Sequence, residues 1–560
     1  MAEKKQDKKA GLNEVERWRI FSLVLFAMTV LLLAWQSDDA YHGYVMARNL
    51  AEGHGFVYNV GERSSASTGP LFTLLISLAY FLTREMFFTS LVVCTLLSSA
   101  AFYILVFKFC RSKEQIIFVM MALFASPSFM SYTTSGLENS LLFLLSALFL
   151  WALSAHERYD FKQLFIIALI ISAIAMARMD TVLIFAPAAV WIFIMKRDGI
   201  SFPKAMLAAA AGLSLFVLWE LFSVLYFGFP FPNPAYVKLG TGIAQIEYLK
   251  RGILYYLYTF LNDAGVILIT AVSTVLCILA KKSKYTAVSV GIILYLLYIL
   301  RIGGDFMMGR HFTVVFFISL CMFYIIEGSS HLDSKSGITG DKTPLTEENK
   351  ETSEIKKLRF SKRIFDVTII VCVIMSLGFC KVIGSQYLLG HKYSSHISDE
   401  REYYYSTTGL YNNVVSLIKE GRLCVSDTWN NEAPDDLREN GLSSGIIDNA
   451  AGILVYYNPD LYLNDTYCLG DAFLSKLPAI YDPNWRVGHL RRAVPEGYRE
   501  SVWNNDNEIE DPDLHEYYDV IRLITRGEIF DPQRLKAIVD INTGKYAYLI
   551  DNYERRLEEK

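Results

Sequence analysis

Five short clusters of polar side chains stand out in a chain that is otherwise apolar over much of its length. They are Asp38-Asp39 in WQSDDAY, Glu138 in TTSGLEN, Arg178 and Asp180 in ARMD, Asn233 and Lys238 in FPFPNPAYVK, and Asp305 and Arg310 in GGDFMMGRH. A carboxylate within hydrogen-bond reach of a hydroxyl is a sufficient general base. An aspartate pair can equally hold a divalent cation that keeps several waters. Arginine and lysine supply the positive charge that a developing phosphate dianion needs. Together these residue types could serve acid–base, cation-binding or anion-binding chemistry. Each cluster also has a structural reading. Adjacent acids at a helix end are usually solvated, and Glu138 suits the positive end of the apolar helix that follows it. Arg178 and Asp180 can form a simple ion pair, Lys238 and Arg310 can anchor an interface, and Asn233 between Pro232 and Pro234 can shape a turn.

The elements that must position these clusters are membrane spans. Of 560 residues 53% are hydrophobic and 14% aromatic, and the apolar residues concentrate between about 18 and 382. A net charge of -4 leaves no electrostatic footprint for nucleic acid. A crossing needs about 20 apolar residues. Candidate spans are 18–36, 87–107, 115–130, 137–154, 163–177, 181–195, 205–227, 263–280, 286–301, 311–326 and 364–382. The first follows a basic leader, as a signal peptide would, but no small-residue cleavage site follows it, so it reads as a retained span. The basic gaps 108–114, 156–162, 196–204 and 281–284 belong in the cytoplasm. All four fall on the side of the amino terminus only if the short run Pro70 to Leu82 lies at the interface. That leaves eleven spans, with the carboxyl-terminal region outside. The polar stretch 327–362 reads as a disordered cytoplasmic linker. Eight cysteines show no metal-ligand spacing, and Cys424 and Cys468 of the exported tail are able to pair.

With this orientation all five clusters lie on the exterior face. The ends of bundled helices meet in one layer, so five clusters on one face can line one cavity beside a lipid headgroup. The spans themselves carry few ionisable residues, Glu220 being the main exception. A proton- or ion-coupled transporter would place such groups near the midplane.

At these residues the chain resembles the GT-C glycosyltransferases, and within them the terminal arabinofuranosyltransferase (AftB-type) and ZomB-like branch. DDAYHGYVMARNLAEGHGFVYNVGERSSASTGPLFTLL is similar to that branch's first exterior loop, and TSGLEN, ARMD, FGFPFPNPAYVKLG and GGDFMMGRHF follow in the same order. In the tail, LNDTYCLGDAFLSKLP and WRVGHLRR resemble further segments, the latter containing His489. Met179, Pro234, Met308 and His311 depart from the family pattern without removing a charged group.

The resemblance implies an α-helical polytopic membrane protein of GT-C fold. A catalytic module spans 1–326, the linker 327–362 and a last transmembrane helix 363–384, and 385–560 forms an exterior mixed α/β domain. The first exterior loop is expected to form a helix from about His42 to Ala51, a turn at Gly53-His54-Gly55 and an interfacial helix over 70–82. The implied donor is a polyprenyl-phosphate sugar, with a pentofuranose as one candidate. The implied acceptor is a cell-envelope glycan or glycolipid outside the cell membrane. In this reading Asp38 or Asp39 is the base, and Arg310, Lys238 and Arg178 face the leaving phosphate. Asp305, Glu138, Asp180, Asn233 and His489 bind or orient substrate. A divalent cation at the aspartates stays open. The competing classes are a transporter, which would depend on Glu220, and a non-catalytic, motility-linked assembly factor, which would tolerate loss of both aspartates.

Overall fold

The computed structural model describes residues 12–238, 241–336, 345–376, 396–427, 432–447 and 451–558, without the side chains of 329–358. Over these residues the chain is predominantly helical. In the apolar part the helices are α1 (Glu14–Leu32), α2 (Asp38–Ala51), α3 (Pro70–Thr83), α4 (Phe87–Ile104), α5 (Lys113–Phe124), α6 (Pro127–Tyr132), α7 (Asn139–Ala155) and α8 (Phe161–Ala177). They continue as α9 (Val182–Met195), α10 (Phe202–Phe227), α11 (Asn233–Lys238), α12 (Gln245–Asn262), α13 (Ala264–Leu279), α14 (Ser283–Arg301), α15 (Arg310–Ser336) and α16 (Leu345–Ile374). The tail holds α17 (Glu400–Thr408), α18 (Leu410–Glu420), α19 (Glu432–Glu439), β1 (Ser444–Ile447), α20 (Gly452–Tyr457), β2 (Tyr462–Asp465), α21 (Tyr498–Asn504), α22 (Pro512–Arg526), α23 (Pro532–Asn542) and α24 (Ala547–Glu558). β1 and β2 pair in parallel, with Ile447 opposite Asp465.

Local chemistry explains where the helices begin and end. Asn13/Glu16, Ser112/Gln115 and Asp160/Gln163 form reciprocal capping boxes at the starts of α1, α5 and α8. Gly228, left-handed at φ 87°, stops α10. Four helices among the described residues are long and apolar enough to cross a bilayer: Phe87–Phe109, Phe202–Phe227, Ser283–Arg301 and Arg310–Gly328. Others are shorter. The 17 residues of α7 rise about 25 Å, against a hydrocarbon core of about 30 Å.

Three sequence expectations are adjusted. First, α2 starts at Asp38, four residues before the expected His42, because acidic side chains in a first turn complement the helix dipole. Second, α12 precedes the expected 263–280 span and meets α13 at 104°. Its polar residues dilute the apolar run that a span search reads. At this corner Asp263 accepts hydrogen bonds from Ser126 Oγ (2.6 Å), Ser128 N–H (2.9 Å) and Val266 N–H (3.3 Å). Third, the stretch read as a disordered linker is helical at both ends, as α15 runs to Ser336 and α16 starts at Leu345. Its Glu- and Lys-rich composition favours helix, and 337–344 fall outside the described residues. Likewise 377–384 of the expected last span fall outside them. Cys424 and Cys468 are both free thiols.

The tail shares cores with the helical part. One cluster joins Phe229 and Val237 to Phe473, Tyr518 and Ile538, and another joins Val45, Met46 and Tyr58 to Leu454 and Leu463. Backbone bonds add to this: Met308 N–H donates to Ser398 O (2.9 Å) and Ser398 N–H to Phe306 O (2.8 Å).

Close helix contacts use small residues, as expected where lipid supplies no apolar driving force. A Cβ at Gly291 of α14 would collide with the carbonyl oxygen of Ile184 in α9. Gly291→Val is expected to separate these backbones and destabilise the protein by about 1–3 kcal/mol. This is read as a lower thermal midpoint of the detergent-purified protein. Gly53, at a turn with open space around it, is the control, and Gly53→Asn should leave the midpoint little changed.

Candidate active site

The five clusters converge on one cavity of about 660 Å³. Polar side chains that line it include Asp38, Asp39, Glu138, Arg178, Asp180, Lys238, Asp305, Arg310 and His489. Apolar side chains line it too, among them Phe72, Ile76, Met176, Leu183, Phe216 and Trp219 from α3, α8, α9 and α10. Asn233 is the exception among the sequence candidates. It is buried, and its side chain donates to Ser64 Oγ (2.7 Å) while its N–H donates to Ser65 O (2.9 Å). It therefore ties the first loop to α11 and does not line the cavity.

Helix ends deliver the charges. Glu138 is the N-cap residue of α7, and Arg178 the extended C-cap residue of α8. Arg310 opens α15 after a turn in which Gly303, Gly304 and Gly309 all have positive φ. A side chain at Gly304 would strike the Tyr255 ring, and one at Gly309 would strike Ser128. The glycines of GGDFMMG are thus required by close packing and left-handed backbone together. Arg178 Nη1 donates to Glu138 Oε1 at 2.8 Å and its Nε to Asp180 Oδ1 at 2.9 Å. Arg310 Nη2 donates to Glu138 Oε1 at 3.0 Å, and its Nη1 lies 3.6 Å from Asp305 Oδ2. His311 Nε2 stands 3.5 Å from the same Asp305 oxygen, with Tyr295 Oη 3.1 Å from its Nδ1.

The two adjacent aspartates sit differently. Asp38 accepts from the N–H groups of Gly452 (3.2 Å) and Ile453 (2.8 Å) at the start of α20, so it docks the tail. Burial raises its pKa, and His42 and these N–H groups oppose the rise. Asp39 also has its pKa raised by burial, with Arg310 and Lys238 acting the other way. Among the described residues Lys238 makes no ion pair. Its side chain lies over Gly488, near enough that a Cβ there would sit 3.3 Å from Lys238 Cε.

Residues outside the sequence candidates complete the site. His42 Nδ1 lies 3.0 Å from Tyr58 Oη, and Asp38, Asp39 and His42 offer ligand atoms within 4.8 Å of one another. These three are the group that could hold a divalent cation. Glu400, buried beside Asp39, is pushed up to about 8 by burial and by that negative charge. Arg486 donates to Ser398 Oγ (3.1 Å) and acts electrostatically on Asp39. Asp465 and Tyr467 line the cavity from the tail. The His42 side chain falls one helical turn after Asp38, a spacing visible in the sequence. Nothing in the sequence alone brings residues of the tail to α2.

No protein-family model matches the chain. The terminal beta-(1->2)-arabinofuranosyltransferase of Mycobacterium tuberculosis is 25% identical to it over 327 residues, covering 51% of this chain and 52% of that protein. The chain thus spans about half the length of this curated relative. The distant likeness is to a glycosyltransferase.

Burial of carboxyls in this region links stability to pH. Glu400, Asp465 and Asp471 are pushed up to about 8, 7 and 6, chiefly by burial, from ordinary values of 4.5, 3.8 and 3.8. Between pH 8 and 6.5 the folded state therefore binds more protons than the unfolded chain, and stability rises as pH falls. Below 6.5 the trend is opposed by His489, which burial holds down at about 3. The expected gain from pH 8 to 6.5 is of order 2 kcal/mol, measured as a higher thermal midpoint. Glu400→Gln, removing the largest contributor, should flatten the dependence.

Proposed function

We propose that this chain is a membrane glycosyltransferase of GT-C type. It moves a sugar, such as a pentofuranose, from a polyprenyl phosphate to a glycan or glycolipid acceptor on the outer face of the cell membrane. The observation that carries this reading is a single cavity lined both by apolar side chains of α3, α8, α9 and α10 and by Asp39, Lys238 and Arg310, the two cations acting electrostatically on Asp39. A lipid chain fits among these apolar side chains. Its phosphate then falls among the cations, and its sugar lies beside the carboxylate.

In the proposed step the acceptor hydroxyl gives its proton to Asp39 as its oxygen bonds to the anomeric carbon. The bond from that carbon to the phosphate oxygen breaks, and polyprenyl phosphate leaves with the electron pair. Polyprenyl phosphate is a weak base and needs no strong acid. It needs positive charge held in place in a water-poor site. Arg310 and Arg178 are already engaged by Glu138, Asp180 and Asp305. Lys238 is the cation with charge to spare. The eleven-span topology and the outward orientation of the cavity belong to this proposal. They rest on the placement of basic gaps and on apolar helices that end at the charged clusters.

The adjacent aspartates separate in a test. With a polyprenyl-phosphate sugar as donor, Asp39→Asn should lower turnover by about 10²–10⁴-fold with the thermal midpoint unchanged. Asp38→Asn should instead lower the midpoint, because the capped α20 loses its acceptor charge. Lys238→Met should weaken donor binding. Full turnover in Asp39→Asn would remove the reading.

A further inference from the structure

The mechanism draws on the helical part of the cavity lining and leaves the wall that comes from the tail without a task. That wall comprises Asp465 at the end of β2, Tyr467 just after it, and Val487, Gly488, His489 and Leu490. Asp465 is 1% exposed, and its Oδ1 has no hydrogen-bond partner. An unsatisfied carboxylate oxygen in such a place costs free energy unless something else supplies the donor. The N–H groups of Cys468, Leu469 and Tyr467 act on this carboxylate. Cys468 adopts a left-handed φ of 63°, which a residue with a side chain rarely takes. His489 Nδ1 is likewise buried and unpartnered, with its ring held edge-on between Phe306 (4.3 Å) and Tyr467 (4.8 Å). Gly488, left-handed beside it, leaves room for the Lys238 stem.

We infer that Asp465, Tyr467 and His489 form a sugar-binding subsite. It takes a furanose or pyranose ring whose hydroxyls bond to Asp465 Oδ1 and His489 Nδ1 while its carbon face lies against Tyr467. The inference deepens the proposed function and rests on it. A carboxylate only accepts and a neutral imidazole both donates and accepts, the pattern that vicinal hydroxyls match. An aromatic body with a polar tip suits a ligand that is apolar on one face and polar at its rim. The wall also adjoins Lys238, so a ring held here lies next to the phosphate position. Both the donor's sugar and the acceptor's sugar have this chemistry.

The test uses full-length protein in lipid nanodiscs and three kinds of probe. These are decaprenyl phosphate alone, decaprenyl-phosphoryl pentofuranose and hexopyranose, and free oligosaccharides of the same sugars. In Asp465→Asn and His489→Ala, binding of a sugar-bearing probe should weaken by at least about tenfold. Binding of bare decaprenyl phosphate should stay within about twofold of wild type. Loss confined to the lipid-linked sugars assigns the wall to the donor, and loss confined to free oligosaccharides assigns it to the acceptor. Equal weakening of bare decaprenyl phosphate, or no weakening of any sugar-bearing probe, overturns the subsite. If Asp465→Asn does not fold, His489→Ala and Tyr467→Ala decide the matter on the same probes. A wild-type protein that binds none of the lipid phosphates removes the glycosyl-transfer reading itself, and the subsite with it.

Discussion

Glu138 held between Arg178 and Arg310 is the interaction on which the rest of this site depends. All three charges are largely buried, and an ion taken from water without a partner costs several kcal/mol. The network therefore fixes where α7, α8 and α15 end relative to one another. A helix end displaced by a turn would strand a charge among apolar side chains. Removing Glu138 would leave two guanidiniums facing each other, a worse state than replacing the whole cluster with apolar residues. Such a network is better understood as a device for register than as a source of stability.

Its charge balance also decides how the cavity is divided. Two guanidiniums face three carboxylates, those of Glu138, Asp180 and Asp305. The cluster is thus negative by one unit before Asp39 is considered. An anionic ligand gains little from cations already neutralised at 2.8–3.0 Å. Under the proposed function the demand for phosphate then falls on Lys238, at the end of α11. The paired charges act as a frame, and Lys238 stands outside it.

Many of the residues that line the cavity were conspicuous in the sequence because they sit at helix ends. Asp38-Asp39, Glu138, Arg178, Asp180, Lys238, Asp305 and Arg310 interrupt apolar runs, and a charge there is conspicuous. The turn at GGDFMMG was not read from the sequence, and the structure shows the Tyr255 and Ser128 contacts that require its glycines. Other features were not legible, for physical reasons. Asn233 looked like a ligand, but a buried amide between prolines serves a loop contact with Ser64 equally well. The α12 helix mixes polar and apolar residues, so no run of hydrophobicity announces it. Asp465 and Glu400 are ordinary acids in a polar tail, and only long-range packing buries them beside α2. Which of two adjacent aspartates is engaged depends on α20, more than 400 residues further on.

The division of labour between Asp38 and Asp39 follows from helix geometry. Successive residues in a first turn point about 100° apart, so one cannot turn both carboxylates to the same partner. The tail takes Asp38 through two backbone N–H groups. Asp39 is thereby left on the inner side, where its nearest strong partners are cations that also suit a phosphate. Docking of the tail and exposure of the second carboxylate to the cavity are consequently one event. A tail that merely sat nearby would leave both acids free to swing toward solvent. The shared cores around Tyr58 and Val237 make that docking a permanent part of the fold. The far wall, with its open carboxylate and imidazole, is then as fixed relative to Asp39 as the helices are to one another.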